Sequence, residues 1–243
     1  MGAMVIAVVM LAAVSAADLE KACGAGKVAA CDELGNKLEE GLGVRRDQAR
    51  AAQLFRKACK QNDPDGCADD ARALALGQGQ PADPRAALPR LEKLCKQGRV
   101  RACAHLGDLF LRGLGAPQDF LRAEGLLAQA CDKGNARACS TLAPLAFQNG
   151  EVERAERLAL HACDLGDPSG CSYLGDTYAR SDDTVRAILF FKRACEGGYA
   201  HGCTGQGYLL LESGADPKRA RELLQAGCEG GDEKACEVVR GLK

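Results

Sequence analysis

Tryptophan is absent from this 243-residue chain, and aromatic residues make up only 4% of it. A bulky aromatic core is therefore excluded, although 47% of the residues are hydrophobic. Most of that apolar content is Ala and Leu, which suits close helix–helix packing. Neither sign of charge is in excess: the formal net charge is −1. That argues against a general electrostatic footprint for nucleic acid or an anionic membrane. The three histidines, His105, His161 and His201, form no cluster in sequence. No Cys-x-x-Cys occurs, so a thioredoxin-like redox motif and a short-spaced structural zinc site are both missing. None of Ser140, Ser169, Ser172, Ser181 and Ser213 has Lys three residues on, and Ser-Asp-Asn and Lys-Thr-Gly are missing too. The serine β-lactamase signature is thereby excluded. No Gly-x-Ser-x-Gly, phosphate-binding loop or dinucleotide fingerprint appears. No catalytic residue, metal or cofactor is expected.

What is present is cysteine, at a fixed spacing. Cys-x7-Cys occurs seven times: Cys23 with Cys31, Cys59 with Cys67, Cys95 with Cys103, Cys131 with Cys139, Cys163 with Cys171, Cys195 with Cys203, and Cys228 with Cys236. These pairs use all fourteen cysteines. The first members lie 36, 36, 36, 32, 32 and 33 residues apart. A period of that size marks a solenoid of helical hairpins, an elongated body that overrides a domain count based on length. Eight residues before the first Cys of a full repeat stands Ala51, Ala87, Ala123, Ala155, Ala187 or Ala220. Four before it stands Phe55, Leu91, Leu127, Ala159, Phe191 or Leu224. These positions and the Cys share one face of a helix, here called B. Three residues after the Cys comes Gly26, Asn62, Gly98, Gly134, Gly166, Gly198 or Gly231, residue types that tolerate the left-handed end of a helix.

The second Cys of each pair is read as opening the next helix, A. The sets Leu34, Gly35 and Leu38, then Leu106, Gly107 and Phe110, then Leu174, Gly175 and Tyr178 define its packing face. The small residue admits the neighbouring helix. Asp47, Asp83 and Asp119 stand where they can cap helix B. Pro89 and Pro144 fall inside helices and are expected to kink them. A Cys closing one helix and a Cys opening the next can approach within disulfide range across a short turn, so pairing each with its neighbour is the simplest of many connectivities.

Residues 2–17 form an apolar run ending in small residues, too short for a comfortable membrane span. They read as a secretory signal despite the lack of a basic residue before the run, with an uncleaved anchor as the alternative. The layout is thus a signal peptide at 1–17 and a solenoid at 18–243. The solenoid comprises a half-repeat at 18–25, six hairpins at 28–229 and a capping helix at 231–242. Export and paired cysteines agree on an oxidising compartment, periplasmic or secreted.

Arg101-Ala-Cys103-Ala-His-Leu106-Gly107-Asp-Leu-Phe110-Leu-Arg-Gly113-Leu-Gly115 and Phe190-Phe191-Lys-Arg-Ala194-Cys195-Glu-Gly-Gly198 resemble the Sel1-like repeat family, a relative of the tetratricopeptide repeats. The cysteine pairs resemble its secreted, disulfide-bridged, Hcp-like branch. The resemblance implies an all-α, right-handed superhelix of Sel1-like hairpins that binds proteins or peptides. It also implies two alternatives: a penicillin-binding or weakly β-lactam-hydrolysing protein, and a structural role in envelope assembly. If helix A lines the concave face, the outward pairs are Glu33 and Asn36, Asp69 and Arg72, His105 and Asp108, Thr141 and Pro144, Tyr173 and Asp176, and Gly205 and Tyr208. Of these, His105, Asp108, Tyr173, Asp176 and Tyr208 are the candidate binding residues. The expected partner is a protein or peptide, not nucleic acid, and the expected state is a monomer.

Overall fold

The computed structural model describes residues 15–241 as fourteen α-helices, with no strand among the described residues. A lone helix, α1 (Ala16–Gly24), precedes six A–B hairpins. These are α2 (Val28–Glu40) with α3 (Gln48–Lys60), α4 (Pro64–Leu76) with α5 (Pro84–Lys96), and α6 (Val100–Arg112) with α7 (Phe120–Asp132). Then come α8 (Ala136–Gln148) with α9 (Val152–Asp164), α10 (Pro168–Arg180) with α11 (Thr184–Glu196), and α12 (Ala200–Ser213) with α13 (Pro217–Glu229). Helix α14 (Glu233–Gly241) closes the array. Most of the signal-peptide expectation at 1–17 lies outside the described residues. Within them, the Ser15 side chain already accepts the Asp18 N–H and caps α1. No helix among the described residues is long and apolar enough to cross a membrane.

The repeat positions form the core. Ala51, Phe55, Ala87, Leu91, Ala123, Leu127, Ala155, Ala159, Ala187, Phe191, Ala220 and Leu224 are all buried. The small residue of helix A is a fit to this face. A Cβ on Gly35 would stand 2.5 Å from the Phe55 ring, and one on Gly175 would stand 2.5 Å from Phe191. Asp47, Asp83 and Asp119 cap α3, α5 and α7, each accepting the N–H three residues on. The residue three after the first Cys has positive φ in all seven cases, Asn62 included. The helices α5 and α8 run through Pro89 and Pro144 without a break.

One boundary is corrected. Cys31, Cys67, Cys103, Cys139, Cys171, Cys203 and Cys236 do not open their helices; each is the fourth residue of its helix. In α4, α8 and α10 a cap fixes the earlier start, and α2, α6 and α12 begin at the same place without a side-chain cap. Asp63, Asn135 and Asp167 accept backbone N–H groups, and Pro64 and Pro168 occupy first-turn sites that need no donor. Starting the helix earlier does not separate the sulfurs, because the fourth residue still lies in the first turn, against the end of the preceding helix B.

Disulfides join Cys23 to Cys31, Cys59 to Cys67, Cys95 to Cys103 and Cys131 to Cys139. They also join Cys163 to Cys171, Cys195 to Cys203 and Cys228 to Cys236. The Cα–Cα distances run from 4.3 to 4.8 Å, and no cysteine is free. Six bridges link a helix B to the A helix that follows it, the last of them α13 to the closing α14, and the first bridge links α1 to α2. A chain so cross-linked belongs to an oxidising compartment.

Successive A helices touch: α2 meets α4, α4 meets α6, α6 meets α8, α8 meets α10, and α10 meets α12. Successive B helices make no comparable contact. The A helices therefore lie on the inside of the curve. Outside, long ion pairs span the wider gaps between B helices, such as Arg122–Glu92 and Arg193–Asp164. These pairs are exposed and stabilise little. The curvature is tight. Arg137 of α8 reaches Glu40 of α2, and Gly198 in the α11–α12 turn lies against Leu42 and Gly43 after α2.

Candidate binding cleft on the inner face

The N-terminal half of the inner face is occupied by its own charges. Asp69 of α4 is 1% exposed. It accepts from Arg101 at 2.8 Å and faces His105 Nε2 at 2.7 Å. Arg101 also donates to Asp32, and Arg72 donates to Glu39. Burial disfavours the Asp69 carboxylate, but His105, Arg72 and Arg101 overcome it and hold the acid well below the usual carboxylate range. Asp32 goes the other way, raised to about 7 by burial and by the negative charge of Asp69, against the pull of Arg101. Burial lowers the His105 pKa, so its imidazole is neutral at pH 7.

This overturns one placement. His105, expected on the outward surface, is 3% exposed and packs against Asp69. Asp69 and Arg72 are buried with it. The reason is the close approach of successive A helices, which turns these positions toward the preceding repeat. Asp108 stays half-buried, paired with Arg112 at 2.8 Å, beside a hollow of about 240 Å³ between α6 and α8.

The C-terminal half is different. Tyr173 and Tyr208 are half-buried, and Tyr173 packs against the core. Asp176 lies 3.2 Å from His201 Nε2, and Asp232 lies 3.4 Å from Nδ1 of the same ring. Hydrogen bonding to Asp176, aided by Asp232, raises the His201 pKa against its partial burial. The structure thus joins Asp176 to His201 and Asp232, and leaves Tyr173 and Tyr208 as separate half-exposed rings.

Between the two halves, where the superhelix closes on itself, lies a cleft of about 380 Å³. Glu39, Glu40, Arg137, Ser140, Asp167 and Tyr199 line it, with Arg46 also on its wall. Asp167 accepts the Ser169 N–H at 2.8 Å, the Ser169 hydroxyl at 2.7 Å and the Ser140 hydroxyl. Arg137 bonds Glu40 at 2.6 Å, and Arg46 Nε donates to the Glu39 carbonyl at 2.9 Å. The Glu40 carboxyl is raised by burial in the cleft and by Asp167 and Glu39, against Arg137. Tyr199 was not among the sequence candidates. It stands four residues before Cys203, the place where Asp63, Asn135 and Asp167 are caps in other repeats, yet its side chain makes no cap bond. An uncapped aromatic at a capping position was the signal available. A wider hollow of about 820 Å³ lies between α1 and the α2–α3 loop, and no unpartnered buried polar atom lines it.

The serines of the cleft are acceptor-bound hydroxyls, not activated nucleophiles. The Ser140 and Ser169 hydroxyls donate to Asp167, and no described serine is hydrogen-bonded to Lys or His. His161 approaches Cys131 and Cys139 within 4.8 Å, but their sulfurs are joined in a disulfide and supply no thiolate.

Stacked αα-hairpins with an inner face lined by one helix of each pair define a helical-repeat, protein-interaction scaffold. Residues 28–63, 64–98, 100–135, 162–199 and 203–232 match the Sel1 repeat, and the chain belongs to the Sel1 repeat family. Residues 136–161, with Pro144 and a shortened loop, are not matched. Among solved structures it is similar to a Sel1 repeat protein from Oxalobacter formigenes, with 22% identity and a TM-score of 0.65, covering 93% of this chain and 69% of that one. It is also similar to c5321, a protective antigen present in uropathogenic Escherichia coli strains (23% identity, TM-score 0.58). That match covers 93% of this chain but only 51% of the antigen, so the chain spans about half its length. The immunity protein Pa5087 from Pseudomonas aeruginosa is a third, at 18% identity and a TM-score of 0.56, covering 89% and 80% of the two chains. These likenesses establish the fold. No curated protein sequence matches the chain significantly.

Proposed function

We propose that this protein is an exported module, periplasmic or secreted, that binds a protein or an extended peptide along the inner face of its superhelix. One observation carries the reading: side chains from five repeats converge on a single cleft at the closure of the curve. Half-exposed Tyr173, Asp176 and Tyr208 extend the same face toward the C-terminus, and Asp108 borders it on the other side. Aromatic anchors of this kind dominate interface energy. The seven bridges support residence outside the reducing cytosol. Nothing in the arrangement of the serines favours β-lactam hydrolysis.

The test is selection of random dodecapeptides on the oxidised protein. Enriched peptides should weaken at least about tenfold with Tyr173→Ala or Tyr208→Ala, the scale of an anchor worth about 1.4 kcal/mol or more. The same peptides should ignore Leu189→Ala on the outer face. Peptides that bind all of these variants alike, or no enrichment at all, would overturn the reading.

A further inference from the structure

We propose that the cleft at the closure of the superhelix receives a cationic side chain, the guanidinium or ammonium of an arginine or lysine in the bound segment. The inference deepens the proposed function and rests on it.

Three observations converge. The first is Glu39. It is 3% exposed and lines the cleft, and its Oε1 has no hydrogen-bond partner, since only Oε2 meets Arg72. A buried carboxylate oxygen without a donor is costly, and an arriving cation removes that cost. The second is Asp167, which lines the same cleft. Its bonds all come from neutral donors, and it has no ion-pair partner among the described residues. The third is Tyr199, 37% exposed and on the lining of the same cleft; an aromatic ring of this kind attracts a cation over its face. A buried carboxylate oxygen without a donor, a carboxylate without an ion pair and a part-exposed aromatic ring on one cleft are groups that suit a cation.

The arginines on the wall do not reverse the preference. Arg137 is paired with Glu40 and Arg72 with Glu39; Arg46, whose Nε donates to the neutral Glu39 carbonyl, keeps its charge, and Asp167, Asp176 and Asp232 around Tyr199 outnumber it. The surrounding field is acidic as well. The Tyr199 hydroxyl pKa is raised by partial burial and then by Asp167, Asp176, Glu40 and Asp232. A cation-bearing side chain entering from the C-terminal half therefore moves down a favourable potential.

The probe is a fluorescent hexa-arginine peptide, read by anisotropy against the full oxidised chain. Hexa-citrulline is the uncharged isostere and hexaglutamate the opposite charge. Hexa-arginine should bind at least about tenfold tighter than either control. Asp167→Asn, which keeps a capping side chain, and Tyr199→Ala, on the exposed ring, should each weaken it about five- to tenfold. Glu39→Gln should do the same, and the other two variants keep the test decisive if it fails to fold. Asp132→Asn, an exposed acid away from the cleft, should have no effect. Equal loss with Asp132→Asn, or tighter binding of hexaglutamate, overturns the proposal. If hexa-arginine fails while selected peptides still depend on Tyr173 and Tyr208, this inference falls and the binding function stands. If no selected peptide binds either, both fall.

Discussion

Glu40 of α2 and Arg137 of α8 form a 2.6 Å ion pair across 97 residues of chain. A straight stack of hairpins could not bring them together. The pair marks the coiling of the array, and the backbone contact of Gly198 with Leu42 and Gly43 completes the closure.

That closure can be opened sterically. Gly198 has φ +85°, and an added Cβ would stand 3.1 Å from the Gly43 nitrogen. Asn tolerates this backbone, as Asn62 does at the equivalent position, so Gly198→Asn isolates the contact from the strain. Small-angle scattering should show a larger radius of gyration for Gly198→Asn. Gly134→Asn, at φ +82° with nothing within 4 Å, should leave the radius unchanged. Both should lose no more than about 1–2 kcal/mol of stability.

Asp69 is the acceptor on which two repeats depend. Asp69→Ala leaves Arg72, Arg101 and His105 facing a gap and should cost about 3–5 kcal/mol by urea denaturation. Its folded pKa is depressed, so its contribution is present above the ordinary carboxylate range and is lost as pH falls through and below it. His105 adds to the acid side: buried neutral, it contributes stability that fades as pH falls below about 6.5.

Asp32 works in the opposite direction. With a folded pKa raised to about 7, its contribution is complete below about pH 4 and is lost as pH rises through 7. Asp32→Asn mimics the neutral acid. Between pH 4 and pH 8 the variant should gain on the parent chain by about 1–3 kcal/mol, read from paired urea titrations at each pH. Parallel curves would contradict the assignment.

The bridges are additive local staples. Removing one as Cys163→Ser with Cys171→Ser should lower stability by about 2–3 kcal/mol, given the short loop it closes. Thiol titration of the parent chain in denaturant should find no reactive cysteine.

The repeat made much of this legible in advance. The Ala, Leu and Phe positions of helix B, the small residue of helix A and the turn Gly or Asn are each set by contacts within one hairpin or its neighbour. Periodicity reports such contacts directly. The starts of the A helices were read three residues late, at Cys31, Cys67, Cys203 and their counterparts, because the cysteine spacing is conspicuous and the caps before it vary in type. His105, Asp69 and Arg72 were read as outward because a helix period gives a direction but not the distance to the next repeat. Complementary charges one repeat apart, Glu39 before Arg72 and Asp69 before Arg101, carried the missing hint. Tyr199 escaped notice because it stands outside the helix faces that periodicity describes. The cleft itself depends on curvature, which accumulates over several repeats and is written in no single one.

The placement of the bridges has a mechanical consequence. Each ties a helix to the A helix that follows it, while in the last four repeats the A–B hairpins pack more extensively than the junctions the bridges span. Pulled from its two ends, the chain cannot part at those thinner joints. It lengthens only by opening hairpins, and between consecutive bridges there are 23 to 27 residues to release. At about 3.5 Å per extended residue, each spans at most about 80–95 Å when fully drawn out and then stops at a cystine. The molecule would resist tension as a row of six short tethers, each able to give way and refold without unravelling its neighbours.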